Sequence, residues 1–350
     1  MKPLFFIAGI ALPGLFLIQG GVSAVQAAES NEIVLYTYDS ILTKGGLGEK
    51  LFPLIEKKVG CKIKALAWGD AGQILTRLQV DERRKKPVAQ IVFGIDQQIW
   101  PSIKAWTEDW KSWTPKGYEK VGKNLKIGNG FLPFDYSFLG VIANTKLVPN
   151  RKPVSVFDLT RSLEGFNRHI VLEDPRTSTP GLSFLLMTEA ITGSSFIKFW
   201  KDFRPHWLTI APSWSSAYHL FIRGEAPWVW SYFTSQAYHE EKTPSGERNP
   251  YQVVLFKEGQ PLQIEGVAAV RGSMSTVESR KRIQKFLEVV ISPEAQALIP
   301  TSNWMLPVRS DVRLPESFKR LPRPLKVIQV KTDPDEVKQV LNEWARSIQP

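Results

Sequence analysis

The chain has 350 residues, of which 43% are hydrophobic and 23% are charged, and its formal net charge is +11. This length and composition are typical of a globular protein that buries a large core and folds into two lobes. The single cysteine, Cys61, excludes an intrachain disulfide and with it a small disulfide-stapled scaffold.

The first residues have the pattern of a secretory signal peptide. Lys2 is the only charged residue in this segment, and an apolar run covers residues 4–18. A small-x-small motif at the end of the segment predicts cleavage after Ala27, so residues 1–27 form the predicted signal peptide. The alternative is an uncleaved membrane anchor, which the short apolar run disfavours. We therefore expect the mature protein in the periplasm.

Two basic runs, residues 83–86 and 280–282, contribute to the positive charge. Because an exported protein rarely meets nucleic acid, we interpret both runs as solvated surfaces and expect no nucleic-acid partner. The alternative is a positive field that steers an anionic ligand towards the protein.

The hydrophobic periodicity predicts an α/β fold. A β-α-β-α-β pattern opens the mature chain, a long apolar run follows, and a second α/β pattern comes next. Strands are predicted at 32–38, 61–67, 88–95, 131–143, 169–173, 207–211, 228–232, 251–256 and 264–270. Helices are predicted at 45–59, from Asp70 onwards, from 180 onwards, at 194–203, 214–223, 277–291 and 293–299, and from Asp333 onwards.

The two patterns and the extended segments that connect them predict two lobes joined by a hinge. The predicted first lobe comprises residues 28–137 and 266–350, and the predicted second lobe comprises residues 138–265. In such folds the carboxyl ends of strands from both lobes face a shared crevice, which is where the ligand binds.

The stretch DPRTSTPGL, residues 174–182, concentrates hydroxyl residues where a strand ends and a helix begins. Thr179 is expected to be the N-cap and Pro180 the first helical residue. The first-turn amides and the helix dipole would form an anion site, to which Ser178 and Thr179 add hydroxyl donors. Gly181 would let a ligand approach the backbone closely.

Two interpretations of this helix start remain open. It is either an anion site or an ordinary capped helix beside a buried Asp174–Arg176 pair. A similar helix start at Gly69–Gly72 in the first lobe favours the anion site, since two helix N-termini could hold one anion between them.

Aromatic residues recur at the predicted ends of strands and helices in the second half of the chain. Rings at loop ends can form the walls of a pocket for a flat heterocycle or a cation, whereas rings inside a strand, such as Trp228 and Trp230, are typical of a core. The residues at element ends are Trp214, Tyr218, Tyr232, Tyr238 and, in the loop 300–305, Trp304.

The helix start at 174–182 and the segments that carry these aromatic residues resemble the periplasmic thiamine-binding proteins of ABC importers. The resemblance extends in order over nearly all of the mature chain, and its longest motifs are its most specific ones. The resembling segments are YTYDS (36–40), FGID (93–96), LPFDY (132–136), DPRTSTPGL (174–182), WSSAY (214–218), SYFTSQAYH (231–239) and IPTSNWMLPV (299–308).

The resemblance implies a two-lobed periplasmic-binding-protein fold of type II with a hinge between the lobes. It implies a protein that binds thiamine, its monophosphate or its diphosphate and delivers it to the permease of an ABC importer in the inner membrane. It implies no cofactor and no metal. The residues agree with this independently, because aromatic faces suit a ring cation and helix N-termini suit a phosphate.

The matching motifs also imply roles for individual residues. Ser178 and Thr179 would hold the phosphate or the hydroxyethyl end of the ligand, and Asp70 matches an acidic residue at the first-lobe helix. The residues that would contact the ligand or line its aromatic part are Tyr38, Trp214, Tyr232, Tyr238 and Trp304. The residues of the loop beside Tyr232 are Phe233, Thr234, Ser235 and Gln236.

This chain departs from the family pattern in two places. Ala71 follows Asp70 where the family has glycine, and the glycine of this chain, Gly72, comes one residue later. Phe233 and Gln236 replace smaller or different family residues. The preference among thiamine and its phosphates therefore stays open.

Two other functions are compatible with the implied fold. Ferric-ion-binding proteins of this fold use two consecutive tyrosines as iron ligands, but the pair here is Tyr232–Phe233, and phenylalanine has no oxygen to bind iron. Thiaminases share the fold and use a cysteine nucleophile, but Cys61 starts a predicted strand away from the crevice. The histidines, whose spacing does not suit a metal, are His169, His206, His219 and His239. We therefore expect a binding protein and not an enzyme.

Overall fold

The structure, a computed structural model, describes residues 31–110, 112–148 and 152–349. The predicted signal peptide, residues 1–27, lies outside the described residues. Within the described ranges, none of the helices has the length and apolar content that a membrane crossing requires.

Strands and helices alternate through most of the chain, as predicted. The strands are β1 (Glu32–Thr37), β2 (Lys62–Ala67), β3 (Ile91–Asp96), β4 (Leu132–Asn144), β5 (Ile170–Glu173), β6 (Trp207–Ala211), β7 (Trp228–Tyr232), β8 (Tyr251–Val254), β9 (Gln260–Ala269), β10 (Leu306–Pro307) and β11 (Val327–Ile328). The α-helices are α1 (Asp39–Leu42), α2 (Gly48–Val59), α3 (Ala71–Arg83), α4 (Trp100–Ile103), α5 (Thr179–Thr192), α6 (Phe196–Phe203), α7 (Trp214–Ile222), α8 (Thr234–Lys242), α9 (Val277–Val290), α10 (Pro293–Gln296), α11 (Glu316–Lys319) and α12 (Pro334–Ser347). Short 3-10 helices cover Lys104–Trp106, Tyr118–Lys120, Lys123–Leu125, Val156–Thr160, Gly193–Ser195 and Arg204–His206, and a π-helical turn covers Ile299–Asn303.

The strands join in one curled mixed sheet with the main order β2-β1-β3-β9-β4-β7-β5-β6. Parallel strands form its two ends: β1 pairs with β2 and β3, and β5 pairs with β6 and β7. The antiparallel strands β4 and β9 lie between these two ends and pair with each other. On the margins of this path, β8 and β10 pair with β4, and β11 pairs with β9.

The hydrophobic core is divided between the two ends of the sheet. β4 contributes Leu132 and Phe134 to the cluster at the first end and Leu139 and Val141 to the large cluster at the second end. A strand that packs in both cores connects two lobes without a break in the sheet. This confirms the predicted two-lobed periplasmic-binding-protein fold of type II. The strands that cross between the lobes, β4 and β9, form the hinge.

The C-terminal helix α12 packs in the core of the second lobe, through Val337, Val340 and Trp344. The predicted lobe boundaries assign 266–350 to the first lobe, and the packing of α12 differs from that assignment. An amphipathic pattern indicates that one face of a helix is buried, but it does not indicate which core receives that face. The lobe boundaries themselves stay a prediction.

Two local predictions are corrected. Helix α5 begins at Thr179 with Ser178 as its N-cap, one residue earlier than expected. Thr234 and Ser235 form the first turn of helix α8 and not a loop. Hydroxyl residues suit loops, caps and first turns alike, so the local pattern does not separate these cases.

Gly181 is needed for the packing of a helix against a strand. A Cβ atom at this position would lie 2.4 Å from the carbonyl oxygen of Glu173, the last residue of β5. Helix α5 can therefore lie against the end of β5 only when residue 181 has no side chain. The expectation that Gly181 admits a ligand is wrong, because this face of the helix is covered by the protein itself.

We expect the Gly181→Ala variant to be less stable than the wild type by about 1–3 kcal/mol, since the helix or the strand must move. Urea unfolding measures this difference. Gly128→Ala is the matched control, because a Cβ atom there meets no atom within 4 Å, and its stability should change by less than about 0.5 kcal/mol. Equal stabilities of the two variants would contradict the packing role of Gly181.

Candidate ligand-binding site

A cavity of about 650 Å³ opens between the two lobes, and residues of both lobes form its walls. This volume lies within the usual range of small-molecule sites, about 300–1,000 Å³. The predicted site residues that line it are Tyr38, Asp70, Ala71, Thr179, Trp214, Tyr232, Thr234, Ser235, Tyr238 and Trp304. The fold thus brings most of the predicted residues, from distant parts of the sequence, to one place.

The other predicted site residues do not line this cavity. Phe233 is buried in the second lobe against Phe138, because its ring fills a small core cluster there. The Gln236 side chain accepts a hydrogen bond from the Val253 amide at 2.8 Å and so ties α8 to β8. Ser178 is buried as the N-cap of α5 and lines a smaller cavity of about 290 Å³.

Tyr38 forms part of the first-lobe wall, directly after β1. Its ring lies against Gly94 of β3, where a Cβ atom would be only 2.1 Å from the ring carbon Cε1. Gly94 also has a φ of +88°, in the left-handed region that favours glycine. The position of the Tyr38 ring therefore depends on a glycine in the neighbouring strand.

Glu265 of β9 also lines the cavity and is absent from the residues predicted from the sequence. The Tyr38 hydroxyl donates to Glu265 Oε2 at 2.7 Å, and the Tyr232 hydroxyl donates to Oε1 at 3.1 Å. Gln263 Nε2 donates in turn to the Tyr232 hydroxyl at 2.9 Å, and Asn303 Nδ2 donates to the Tyr38 hydroxyl at 3.2 Å. One carboxyl group thus joins a phenol from each lobe.

Glu265 is the middle one of three buried carboxyl groups on neighbouring strands, which we call the carboxyl row. It lies opposite Asp96 of β3 and Asp135 of β4 in the sheet. Glu265 is 6% exposed, and the other two residues are 0% exposed. Burial, together with the negative charges of Asp96 and Asp70, raises the pKa of Glu265 to about 7. Burial also raises the pKa of Asp96 to about 6 and that of Asp135 well above its usual value.

Asp70 connects the starts of two helices that belong to different lobes. It is the N-cap of α3, in a capping box with Gln73, and its Oδ2 accepts a hydrogen bond from the Trp214 amide of α7 at 3.0 Å. Close by, a Cβ atom on Gly72 would lie 2.7 Å from the Thr177 carbonyl oxygen. The predicted anion clamp between the starts of α3 and α5 is therefore not supported, because a carboxylate and backbone already fill this space.

The aromatic wall of the second lobe is built on the start of α7. The Trp214 and Tyr218 rings stack with their centroids 5.0 Å apart, and the Tyr232 ring lies 6.0 Å from Trp214 at a tilt. The Trp214 indole N–H donates to Ser231 Oγ at 2.8 Å, and the Tyr218 hydroxyl shares a 2.8 Å hydrogen bond with His239. These hydrogen bonds fix the ring planes.

A second aromatic pair comes from α8 and from the turn after Asn303. The Tyr238 and Trp304 rings meet edge to face with centroids 4.8 Å apart. Trp304 has a φ of +55°, which costs free energy for a bulky residue and is maintained only by the surrounding contacts. Those contacts include the stacked ring of Phe318.

Comparison with known proteins agrees with this geometry. The family of bacterial extracellular solute-binding proteins matches residues 56–326. The chain belongs to this family. A relative named "Thiamine-binding periplasmic protein" from Brucella melitensis is 35% identical over 94% of this chain and 95% of its own length. The Escherichia coli protein of the same name is 32% identical over 90% of this chain and 93% of its own length. A solved structure titled "Periplasmic thiamin binding protein" superposes with a TM-score of 0.78 and 30% identity, covering 91% of this chain and 96% of that one.

The positive charges of this solute-binding protein lie at the exposed part of the cavity wall. Lys44 and Lys242 line the cavity and are exposed. His239 is partly buried, and burial lowers its pKa to about 4, so the ring is neutral at pH 7. The interior of the cavity is therefore negative and aromatic, whereas its rim is positive.

The geometry of this solute-binding protein does not support the two alternative functions, ferric-ion binding and thiaminase activity. Cys61 is buried in the first-lobe core, away from the cavity, and burial raises the pKa of its thiol. Phe233 points into a core cluster, so the residue that follows Tyr232 supplies no second phenol to bind a metal. Across the residues with described positions, no group of histidine, cysteine and carboxylate side chains is arranged to hold a metal ion.

The carboxyl row leads to a prediction about pH and stability. A carboxyl with a raised folded-state pKa makes the fold less stable as pH rises from the unfolded value to the folded value, here from 4.5 to about 7. Glu265→Gln removes this loss, so the variant should gain about 2–3 kcal/mol relative to the wild type between about pH 5 and about pH 8.

Urea unfolding of both ligand-free proteins at the two pH values measures this gain. Comparing the two proteins at each pH cancels the opposite contribution of His169 and His239, whose pKa values burial lowers to about 4. A stability difference that is the same at both pH values would contradict a raised pKa at Glu265.

Proposed function

We propose that this protein binds thiamine in the periplasm and delivers it to the permease of an ABC importer in the inner membrane. The observation that carries the proposal is the cavity between the lobes, which combines ring faces with the buried carboxyl of Glu265. Thiamine has a permanently cationic thiazolium ring, which suits both features. The names of the Brucella melitensis and Escherichia coli relatives support the same ligand.

The proposed mechanism is closure of the two lobes on the vitamin. Tyr38 and Asp70 belong to the first-lobe wall, and Trp214 and Tyr232 belong to the second-lobe wall. The Asp70–Trp214 hydrogen bond and the two phenol bonds to Glu265 join the lobes at the site. A ligand that fills the space between these walls favours the closed form, which the permease then receives. The role is binding and not catalysis.

We include the monophosphate and the diphosphate among the proposed ligands. The Thr179 hydroxyl, at the start of α5, lines the cavity, and the exposed Lys44 and Lys242 line it as well. A hydroxyl donor and lysine side chains both suit a phosphate group. Because Ser178 does not line this cavity, we assign the expected hydroxyl contact to Thr179 alone.

Native mass spectrometry of protein purified from the periplasm without added ligand tests the proposed function. We expect a mass increase that corresponds to one thiamine or one thiamine phosphate, since a tight binder retains its cargo during purification. The released molecule should be the intact vitamin. Recovery of separated pyrimidine and thiazole fragments would instead identify an enzyme, and failure of added thiamine to bind would refute the proposal.

The Trp214→Ala variant should bind thiamine about 1–3 kcal/mol more weakly than the wild type, because it loses an aromatic face for the cation and the burial of that face. Titration calorimetry measures the change. Trp106→Ala is the matched control, because Trp106 packs on the first-lobe core and does not line the cavity. If both variants bound thiamine as tightly as the wild type, Trp214 would not be part of the ligand site.

A further inference from the structure

We infer that Glu265 is the residue that makes this site selective for a cationic ring over a neutral ring of the same shape. The inference rests on the proposed function, since the cation in question is the thiazolium of thiamine. Glu265 lines the cavity from the crossing strand β9, between the walls of the two lobes. Its role follows from the direction of its hydrogen bonds, from the charges around it and from its place in the fold.

The hydrogen bonds around Glu265 favour an ionised carboxylate. The Tyr232 hydroxyl accepts from Gln263 Nε2, and the Tyr38 hydroxyl accepts from Asn303 Nδ2. Each phenol therefore directs its own proton to Glu265, one to Oε1 and the other to Oε2. A carboxyl group that accepts at both oxygens is stabilised in its charged form.

The negative charge of Glu265 has no positive partner in the part of the chain that the structure describes. The charged groups that act on it are the carboxyls of Asp96 on β3 and Asp70 before α3. The lysines of the cavity wall, Lys44 and Lys242, are exposed. A buried charge without a partner is costly, and a cation that enters the cavity removes this cost.

Asp70, the other carboxylate in the cavity wall, is compensated within the protein. It caps α3 and accepts from the Trp214 amide at the start of α7, so the positive ends of two helices face it. Glu265 receives only neutral phenol donors. Of the two carboxylates, Glu265 is therefore the one whose negative charge the protein does not compensate, so this charge is available to a cationic ligand.

The place of Glu265 in the fold also suits this role. Strand β9 lies in the sheet between β3 and β4, and Glu265 is in register with both neighbours. Tyr38 reaches Glu265 from the first lobe and Tyr232 reaches it from the second. A ring held between these walls meets the carboxylate whichever lobe moves on closure.

Titration calorimetry at about pH 7.5 with two ligands tests the inference. The ligands are thiamine and its neutral analogue, in which a thiophene replaces the thiazolium and the shape is kept. The wild type should bind thiamine at least about tenfold more tightly than the analogue. Glu265→Gln should weaken thiamine binding at least about tenfold and change analogue binding less than about threefold. Glu258→Gln, a control outside the cavity, should leave both affinities unchanged.

Each other outcome has a distinct meaning. Retained analogue binding by Glu265→Gln demonstrates a folded site, so a loss of both ligands to the same extent would make Glu265 a structural residue and overturn the inference. Unchanged thiamine binding by the variant would overturn it as well. A wild type that binds both ligands equally would refute the inference alone, whereas a wild type that binds neither would refute the proposed function and the inference with it.

Discussion

The burial of carboxyl groups on the two crossing strands is the constraint on which the rest of the site depends. Strands β4 and β9 connect the lobes, and they place Asp135 and Glu265 side by side, with Asp135 fully buried and Glu265 6% exposed at the cavity wall. Buried polar groups need hydrogen-bond partners, and charged groups need them most. The phenols of Tyr38 and Tyr232 and the amide of Asn303 supply these partners. The buried carboxyl groups of the hinge strands therefore determine which side chains lie on the inner surface of the cavity.

The same constraint reaches the outer wall. Asn303 donates to both Asp135 and Tyr38 and thereby anchors the turn that precedes Trp304. An anchored turn can hold Trp304 at a positive φ that a free loop would abandon, and its ring then meets Tyr238. A buried carboxyl in the middle of the sheet therefore helps to position a ring at the rim. The contacts from Asp135 through Asn303 to Trp304 thus connect the hinge strand to the cavity wall.

Sequence reasoning predicts most of the strands and helices and the aromatic walls, because these depend on periodicity and on element ends that meet at one edge of a sheet, but it misses helix α8. It does not predict the direction of each side chain, which tertiary packing decides. Phe233 and Gln236 lie beside Tyr232 in the chain, yet one fills a core and the other ties two elements together. Glu265 is hidden inside an apolar strand, where the pattern indicates core. The feature of the sequence that could have identified Glu265 is a carboxyl residue within a strand that is otherwise apolar. The stretches FGID, LPFDY and QIEGV each place one carboxyl in or at the end of an apolar run.

The carboxyl row also separates this site from the metal-binding members of the same fold. Burial and the charge of Glu265 raise the pKa of Tyr38 and of Tyr232 well above the usual value, so both phenols keep their protons. A ferric ion is bound by phenolates, which must lose those protons. Here each proton is already committed to Glu265. The loss of both protons would place two more negative charges beside three buried carboxyl groups. The binding of a singly charged organic cation requires no loss of a proton. Phe233 has no phenol, and Tyr232 keeps its proton, so two independent physical properties of the site disfavour iron.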